Sequence, residues 1–322
     1  MQVHYQLEQL PAFKNAIVTI GTFDGVHTGH QQILHQLVAH AHENNGEAVL
    51  VTFHPHPRLI VGNFNNQPIK LINTLEERLE RIAVTGIHHV VVVPFTADFA
   101  NQTAEAYIRN FLVEKFQPHT IVIGYDHRFG KGRTGNFQLL ESYKDQYCYR
   151  LKEIPAEILH NNNISSTLIR KLTSEGNIEE ANYLLGYSFY FEGTVIKGNQ
   201  LGRTINYPTA NIAIQDTDKL IPGNGVYAVT IEAAHCLASG NSSFPAGIYK
   251  GMMNIGVRPT VDGTKRTIEV NIFDFDADIY DAPIRITVRK LLRHEQKFNG
   301  LDALKNQLGL DKEAALKALD KK

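Results

Sequence analysis

Two histidines three residues apart stand out in the stretch GTFDGVHTGH, which covers residues 21–30. His27 and His30 would share one face of a helical turn, because side chains at i and i+3 are neighbours on a helix. The stretch joins a predicted buried strand to a helical pattern, and the N–H groups at such a helix start suit phosphate oxygens. A lone histidine could simply cap the helix, but the ten-residue context favours a ligand. We therefore predict a phosphate-binding loop, which includes Gly21, Thr22, Phe23 and Asp24.

A second stretch that could do chemistry is GTVIKGNQLGRTINYPTAN at 193–211. Gly198 and Gly202 give a flexible loop whose backbone amides can approach phosphates. Thr209 and Asn211 are two residues apart, so in an extended chain both side chains point to the same side. Their oxygens suit a hard cation such as Mg²⁺. The alternative is a turn region between strands that binds nothing.

Alternating strands and helices in the first half must position the first stretch. Apolar segments at 16–20, 47–53 and 120–124 predict strands, and the first is apolar on both faces, as a central parallel strand should be. A helix with one apolar stripe follows the histidines; the stripe contains Ile33, Leu34, Leu37, Val38 and Ala41. This order predicts an α/β doubly wound, Rossmann-like parallel sheet that is covered on both faces.

The rhythm changes beyond about residue 186 to short strands separated by Gly, Pro, Asn and Asp. In TIEVNIF the apolar residues alternate with Glu269 and Asn271, which would share the opposite face. The pattern predicts an antiparallel β-barrel followed by C-terminal helices. Gly186 is expected to stop the helix before the barrel. We therefore place one domain at 1–185 and a second at 186–322.

Composition limits the classes of function. The chain has 322 residues, a net charge of −1 and a pI of about 7.0, so the basic footprint of a nucleic-acid-binding protein is missing. Its apolar runs are much shorter than a membrane span, and we see no signal peptide. Cys148 and Cys236 alone cannot build a disulfide framework or a zinc site. We expect a cytoplasmic protein that acts on small molecules and binds neither membrane nor nucleic acid.

The first stretch resembles the HxGH signature of nucleotidylyltransferases, and more closely the N-terminal module of prokaryotic bifunctional riboflavin kinase/FAD synthetases. His127 departs from that family's pattern, since an aromatic residue is more usual there. The resemblance implies that both histidines and Arg170 are catalytic donors to the phosphates. The other matching stretches follow in the family's order and would bind nucleotide or flavin: TFHPHP (52–57) with Phe53, GYDHRFGKGRTG (124–135) with Asp126, and ISSTLIR (164–170) with Ser165 and Ser166.

The second stretch resembles the riboflavin kinase signature in GRTINYPTAN, with Arg203 as a binding residue and Asn206 where glycine is more usual. Asparagine tolerates positive φ better than most residues, so we expect the loop to keep its conformation. Two later stretches, GMMNIGVRPT (251–260) and LLRHEQKF (291–298), match the downstream part of the kinase module. For these two stretches, the resemblance implies that Arg258, Arg293 and Glu295 order the loops beside the flavin.

Two reactions are implied by the resemblance. The C-terminal barrel would phosphorylate riboflavin to FMN with ATP and Mg²⁺, and the N-terminal domain would adenylylate FMN to FAD and release pyrophosphate. FMN carries an ionised phosphate, so its reaction needs alignment and charge neutralisation but no base. The riboflavin hydroxyl is neutral at pH 7, so a group must accept its proton. Glu269 is expected to be that catalytic group.

Three alternatives remain open. The pattern GKGRTG at 130–135 reads G-x-G-x-x-G, which would suit a dinucleotide-binding dehydrogenase, but YDHRF separates it from the preceding strand. A second alternative is an enzyme with one silent module, on the evidence of His127 and Asn206. A third is a flavin or nucleotide sensor without activity. The sequence shows no clear self-complementary patch and gives no oligomeric state.

Overall fold

The structure is a computed structural model. It describes all residues except 63–67, 125–126, 155–163, 199–201, 203–206, 235–243, 261–262 and 321–322, and at 258–260 and 263–265 only the backbone. The chain divides into two compact units. One comprises Met1–Lys70 and Thr74–Ser166, and the other comprises Leu71–Asn73 and Thr167–Lys322. The functional boundary that we place at residue 186 stays a prediction.

The first unit is built on a sheet of six parallel strands. They are β1 (Gln2–His4), β2 (Ile17–Ile20), β3 (Ala48–His54), β4 (His89–Pro94), β5 (Thr120–Gly124) and β6 (Arg150–Ile154). Their order across the sheet is β1-β4-β3-β2-β5-β6. The order reverses at β2, which lies between β3 and β5. Open α/β sheets bind ligands at the carboxyl end of such a switch point.

Helices connect these strands. They are α1 (Thr28–Glu43), α2 (Pro57–Ile60), α3 (Leu75–Ala83), α4 (Ala97–Ala100), α5 (Ala104–Ala106), α6 (Glu114–Phe116) and α7 (Phe137–Tyr143). A π-helical segment at Tyr107–Val113 joins α5 to α6, and 3-10 turns form at Leu7–Gln9 and Lys131–Arg133. The start of α3 is fixed by a capping box, in which Thr74 and Glu77 each accept a backbone N–H from the other.

Two apolar cores are formed by alternate residues of the sheet. Val18 and Val49 enter the core that contains Phe111, whereas their neighbours Ile17 and Ala48 enter the other core. This alternation marks strands that are buried on both faces. It confirms the predicted doubly wound α/β fold.

Six antiparallel strands of the second unit close into a barrel. They are β7 (Tyr190–Ile196), β8 (Ala210–Ala213), β9 (Gly225–Ala233), β10 (Tyr249–Thr260), β11 (Gly263–Ile272) and β12 (Pro283–Arg293). Their order is β10-β11-β8-β7-β12-β9. This arrangement confirms the predicted antiparallel barrel, although no separate pattern predicts the four-residue β8.

Helices precede and follow the barrel. The preceding ones are α8 (Ser166–Glu175) and α9 (Ile178–Leu185), and α9 ends at Gly186, which has a φ of +74°, as predicted. The two helical patterns near the C-terminus belong to one helix, α10 (Leu301–Leu319), which runs through Gly309 without a break. Ala315 of α10 packs with Ala228 and Met252 of the barrel wall.

A three-residue segment of the first half, Leu71–Asn73, belongs to the second unit. The Leu71 N–H donates a hydrogen bond to the Asp218 carbonyl at 2.7 Å. The Lys219 ammonium is buried and donates to the Ile72 carbonyl at 2.6 Å. Both bonds anchor this short segment to the chain that precedes β9.

Candidate functional site

The loop between β2 and α1, which carries the first predicted site, has an unusual backbone. Phe23, Gly25 and Val26 have φ values of +48°, +88° and +36°. Positive φ is unfavourable for phenylalanine and more so for a β-branched residue such as valine. The surrounding structure must therefore hold this loop in place.

Side-chain donors hold two carbonyl groups of the loop. Ser166 Oγ donates to the Asp24 carbonyl and Gln31 Nε2 donates to the Val26 carbonyl, each at 2.8 Å. Ser166 was predicted as a binding residue from its motif, and in the structure its hydroxyl supports the loop that carries the histidines. Asp24 itself is only 2% exposed.

Arg78 of α3 supports the same loop, although no motif in the sequence points to this residue. Its Nη1 donates to the Thr22 carbonyl at 2.7 Å and its Nη2 donates to the Phe53 carbonyl at 3.1 Å. The Thr52 hydroxyl also donates to the Thr22 carbonyl, at 3.2 Å. The ends of β2 and β3 are thus joined through one guanidinium group.

His27 and His30 are brought together, but through an N-cap with extended backbone at His27 and not through a shared helical face. The His27 side chain caps α1, because its Nδ1 accepts the backbone N–H of His30 at 3.3 Å. The two rings stack with their centroids 3.6 Å apart and an interplanar angle of 16°. Burial, and next the neighbouring His27, lower the pKa of His30 well below its ordinary value. His30 is therefore a neutral imidazole at pH 7.

Close packing accounts for two other predicted residues of this loop. The Phe23 ring lies 5.0 Å from the His30 ring, measured between centroids. A β-carbon on Gly21 would lie 2.9 Å from Phe23 Cε2, so glycine is required for this approach. Phe53 is buried, with its ring 5.4 Å from that of Phe95, and only its carbonyl is tied to the loop through Arg78.

The remaining predicted residues of this module are described to different extents. Ser165 is exposed and Arg170 is half-buried, both around the start of α8. Asp126 lies outside the described residues. His127 is half-buried, with its ring centroid 5.8 Å from that of Phe129.

The GKGRTG pattern forms a closed loop. Phe129 and Gly135 exchange backbone hydrogen bonds of 3.2 and 2.9 Å across it. A β-carbon on Gly130 would lie 2.7 Å from Ala104 Cα, and one on Gly135 would lie 2.4 Å from the Phe129 ring. Close packing accounts for Gly130 and Gly135, so neither glycine requires a dinucleotide bound at a strand–helix junction.

Strand register places polar side chains around Glu269 in the barrel. Glu269 of β11 lies directly opposite Asn211 of β8 on one side and Asn254 of β10 on the other. The alternate residues Ile268 and Val270 are buried, as predicted for the other face. The three polar residues come from three strands, so they form a row across the sheet.

Asn271 orders the segment that leads into β8. Its Nδ2 donates to the Pro208 carbonyl at 2.7 Å, directly before Thr209. The Asn211 amide in turn fills the space beside Gly198, where a β-carbon would lie 2.1 Å from Nδ2. Two of the predicted residues, Gly198 and Asn211, are therefore in contact.

Of the other predicted residues of the barrel, some have described contacts and the rest lie outside the described part of the chain. The Tyr207 N–H donates to the Gly202 carbonyl at 2.8 Å. Arg293 binds Asp311 of α10, with Nη2 and Oδ2 2.8 Å apart, so its guanidinium fastens the helix to β12. Glu295 lies beside Gly256, where a β-carbon would be 2.1 Å from its Oε1. Arg203, Asn206 and the Arg258 side chain lie outside the described part of the chain.

A doubly wound sheet with paired histidines at its switch point, together with a barrel that carries an acidic residue among amides, defines a two-module nucleotide-dependent transferase. Family models agree with this class. The model for FAD synthetase matches residues 10–168, and the model for riboflavin kinase matches residues 185–319.

Curated relatives match over nearly the whole chain. The bifunctional riboflavin kinase/FMN adenylyltransferase of Buchnera aphidicola subsp. Schizaphis graminum is 38% identical, over 94% of each chain. That of Escherichia coli strain K12 is 35% identical, over 95% of this chain and 93% of the relative. The chain belongs to the family of bifunctional riboflavin kinases/FMN adenylyltransferases. It is an enzyme with both activities, an FAD synthetase region being followed by a riboflavin kinase region.

A solved structure shares the fold. A Streptococcus pneumoniae protein, titled a macrolide-efflux protein, is 29% identical and superposes with a TM-score of 0.83 over 97% of both chains. Among the helices that the structure describes here, none has the length and apolar character needed to cross a bilayer.

Proposed function

We propose that FMN adenylylation takes place at the loop between β2 and α1, with His27 and His30 as donors to the phosphate groups of ATP. The stacked histidines at the switch point carry this proposal. The His27 Nδ1 accepts a backbone N–H, so the neutral ring carries its proton on Nε2, where it is available to a phosphate oxygen. A nucleophile that is already ionised needs such donors and no base.

Arg170 and Ser165 complete the phosphate-binding group in this proposal. Ser165 directly precedes α8 and Arg170 lies within it, and the first residue of this helix, Ser166, donates a hydrogen bond to the Asp24 carbonyl. A guanidinium there would supply the fixed positive charge that the neutral His30 imidazole lacks. Asp126 is proposed to orient nucleotide or flavin.

Riboflavin phosphorylation is proposed to take place beside Glu269, which accepts the proton of the 5′-hydroxyl. Its neighbours in register, Asn211 and Asn254, offer amide groups that can orient the hydroxyl and the phosphates. The Asn211 amide packs against the Gly198 backbone, so glycine at 198 lets this proposed ligand approach the loop closely. Gly202, Arg203, Arg258 and Arg293 are proposed to order the adjoining loops.

Mg²⁺ is the metal that suits this second site. Thr209 and Asn211 would hold it, because a hydroxyl and an amide oxygen are hard donors and the Glu269 carboxylate lies opposite Asn211. The bound ion would supply neutralisation of the phosphate charge. Asn271 fixes the backbone before Thr209, so the chain itself sets the position of both ligands. Because both reactions are proposed to consume ATP, we also propose that the enzyme works in the cytoplasm.

Product analysis tests this assignment. The protein is supplied with riboflavin, ATP and Mg²⁺, and FMN and FAD are followed by chromatography; a second reaction starts from FMN. We expect both products from riboflavin, FAD from FMN, and no FMN formation from riboflavin when Mg²⁺ is removed by a chelator. FMN formation without a divalent cation would contradict the proposed metal site.

A further inference from the structure

A buried arginine outside the recognised motifs holds the adenylylation site. Arg78 is 5% exposed, and its two terminal nitrogens donate to the carbonyls of Thr22 and Phe53 at 2.7 and 3.1 Å. Its Nε has no hydrogen-bond partner among the residues that the structure describes. Burying a cation costs free energy unless the cation is hydrogen-bonded and paired with opposite charge. The two bonds to carbonyl groups offset part of this cost.

The two carbonyl groups belong to separate segments, the loop after β2 and the end of strand β3. Thr22 begins the loop in which Phe23 and Val26 have positive φ, and Phe53 precedes the end of β3. β2 and β3 are neighbours in the sheet. A planar guanidinium can bind two carbonyls in a fixed geometry, which an ammonium group cannot do. Arg78 thus sets the distance between the loop and the end of β3.

The surroundings of Arg78 keep it in place. The capping box of Thr74 and Glu77 fixes the first turn of α3, directly before Arg78. Burial lowers the pKa of Arg78, whereas the carboxylates of Asp24 and Glu76 act in the opposite direction. An arginine side chain nevertheless stays protonated in proteins, so the group carries a fixed charge beneath the loop.

We propose that Arg78 is a positioning residue for adenylyl transfer, which holds the loop with His27 and His30 at the correct distance from the end of β3. This inference rests on the proposed function of that loop. Misplacement of reacting groups by about 1 Å can cost about a hundredfold in rate. Arg78 therefore acts on the rate of the bound complex more than on substrate affinity.

Two substitutions test the proposal in the full-length protein. Arg78→Met removes the charge and both donors, and Arg78→Lys keeps the charge but not the planar fork. FAD formation from FMN is measured for kcat and for both KM values, and riboflavin phosphorylation by the same chain serves as an internal control. We expect kcat to fall about a hundredfold in Arg78→Met and about tenfold in Arg78→Lys, with KM values within threefold of the parent. Arg109→Met, at an exposed position of the same unit, is the matched control and should change neither reaction.

Each other outcome overturns the proposal. A parent-like kcat in Arg78→Lys overturns it, and this variant decides the matter if Arg78→Met fails to fold. A rise in KM at unchanged kcat also overturns it, since that result indicates direct substrate binding. His30→Ala, measured in parallel, distinguishes a failure of the positioning role from a failure of the proposed site. If His30→Ala leaves FAD formation intact, the proposed site is wrong; if only the Arg78 variants are unaffected, the positioning role alone is wrong.

Discussion

The His27 side chain accepts the backbone N–H of His30 at 3.3 Å, while the rings of the two residues stack 3.6 Å apart. One histidine therefore caps the helix and also fixes the orientation of the other. Burial lowers the pKa of His30, which avoids two positive charges at this short separation. His30 is therefore a neutral donor, and in the proposed site Arg170 would supply the positive charge.

Replacement of His30 should separate the two activities. We expect His30→Ala to lower kcat for FAD formation from FMN by about 10²–10³-fold, the usual effect of losing one donor to a developing charge. Riboflavin phosphorylation should stay within twofold of the parent, because Glu269 belongs to a different compact unit. Steady-state kinetics of both reactions check this. His35→Ala, an exposed position on the same helix, should leave both unchanged, and equal losses in the two reactions would contradict the two-site assignment.

The sequence predicted the elements with strong periodicity and missed those without it. β2 and β3 are apolar on both faces, which only a buried parallel strand requires. β1 and β6 lie at the two edges of the sheet, and the mixed polarity of an edge strand gives no such signal. Neither strand was predicted for this reason.

The site was predicted where a motif is local and missed where it depends on tertiary contacts. His27 and His30 are close in sequence, so their proximity could be expected locally, although it arises from an N-cap and not from a shared helical face. Arg78 lies in LEERLER, where a charged residue is normally expected to face solvent, and only the two carbonyls of other strands explain its burial. The approach of Asn211 and Asn254 to Glu269 depends on strand register, which one sequence does not reveal.

Replacement of Glu269 should have the opposite effect to that of His30. Glu269→Gln keeps the shape but removes the proton acceptor, so we expect kcat for riboflavin phosphorylation to fall by about 10²–10⁴-fold. FAD formation from added FMN should stay within twofold. Glu313→Gln, an exposed position on α10, is the control for a change of charge in the same unit. Retention of kinase activity in Glu269→Gln would rule out this residue as the base.

Acid should destabilise the FAD synthetase unit through its buried histidines. The pKa of His30 is lowered in the folded state, so the unfolded chain binds more protons once the pH falls below about 6.5. The free energy of unfolding should then decrease with falling pH by up to about 1.4 kcal/mol per pH unit for this residue. Burial lowers the pKa of His4 and His88 as well, which acts in the same direction.

Urea unfolding between pH 5.5 and 7.5 measures this dependence. The chain has no tryptophan, so circular dichroism is the suitable signal. His30→Asn should make the stability of the unit less dependent on pH, and His35→Asn should not. An unchanged slope in His30→Asn would show that His30 is not held neutral.

A buried ion pair in the barrel should contribute more to stability than an exposed one. Arg285 donates to Glu192 Oε1 through Nε and Nη2, at 2.9 and 2.7 Å, and both side chains are at most 8% exposed. Glu192→Gln removes a carboxylate charge that binds a buried guanidinium, so we expect a loss of about 3–5 kcal/mol. The urea midpoint for loss of kinase activity measures it.

An exposed pair in the same unit provides the comparison. Lys290 and Glu179 lie 3.0 Å apart, but their side chains are 45% and 66% exposed. Glu179→Gln should therefore cost less than about 1 kcal/mol. Similar losses for the two glutamate substitutions would contradict the importance of burial.

The short segment Leu71–Asn73 makes the polypeptide cross from one compact unit to the other three times, after Lys70, after Asn73 and after Ser166. A gene divided at residue 186 would leave the partners of this segment, Asp218 and Lys219, on the other product. Recombination with another gene would have to preserve this interleaving. We therefore expect the two activities to be inherited together and not exchanged as independent halves.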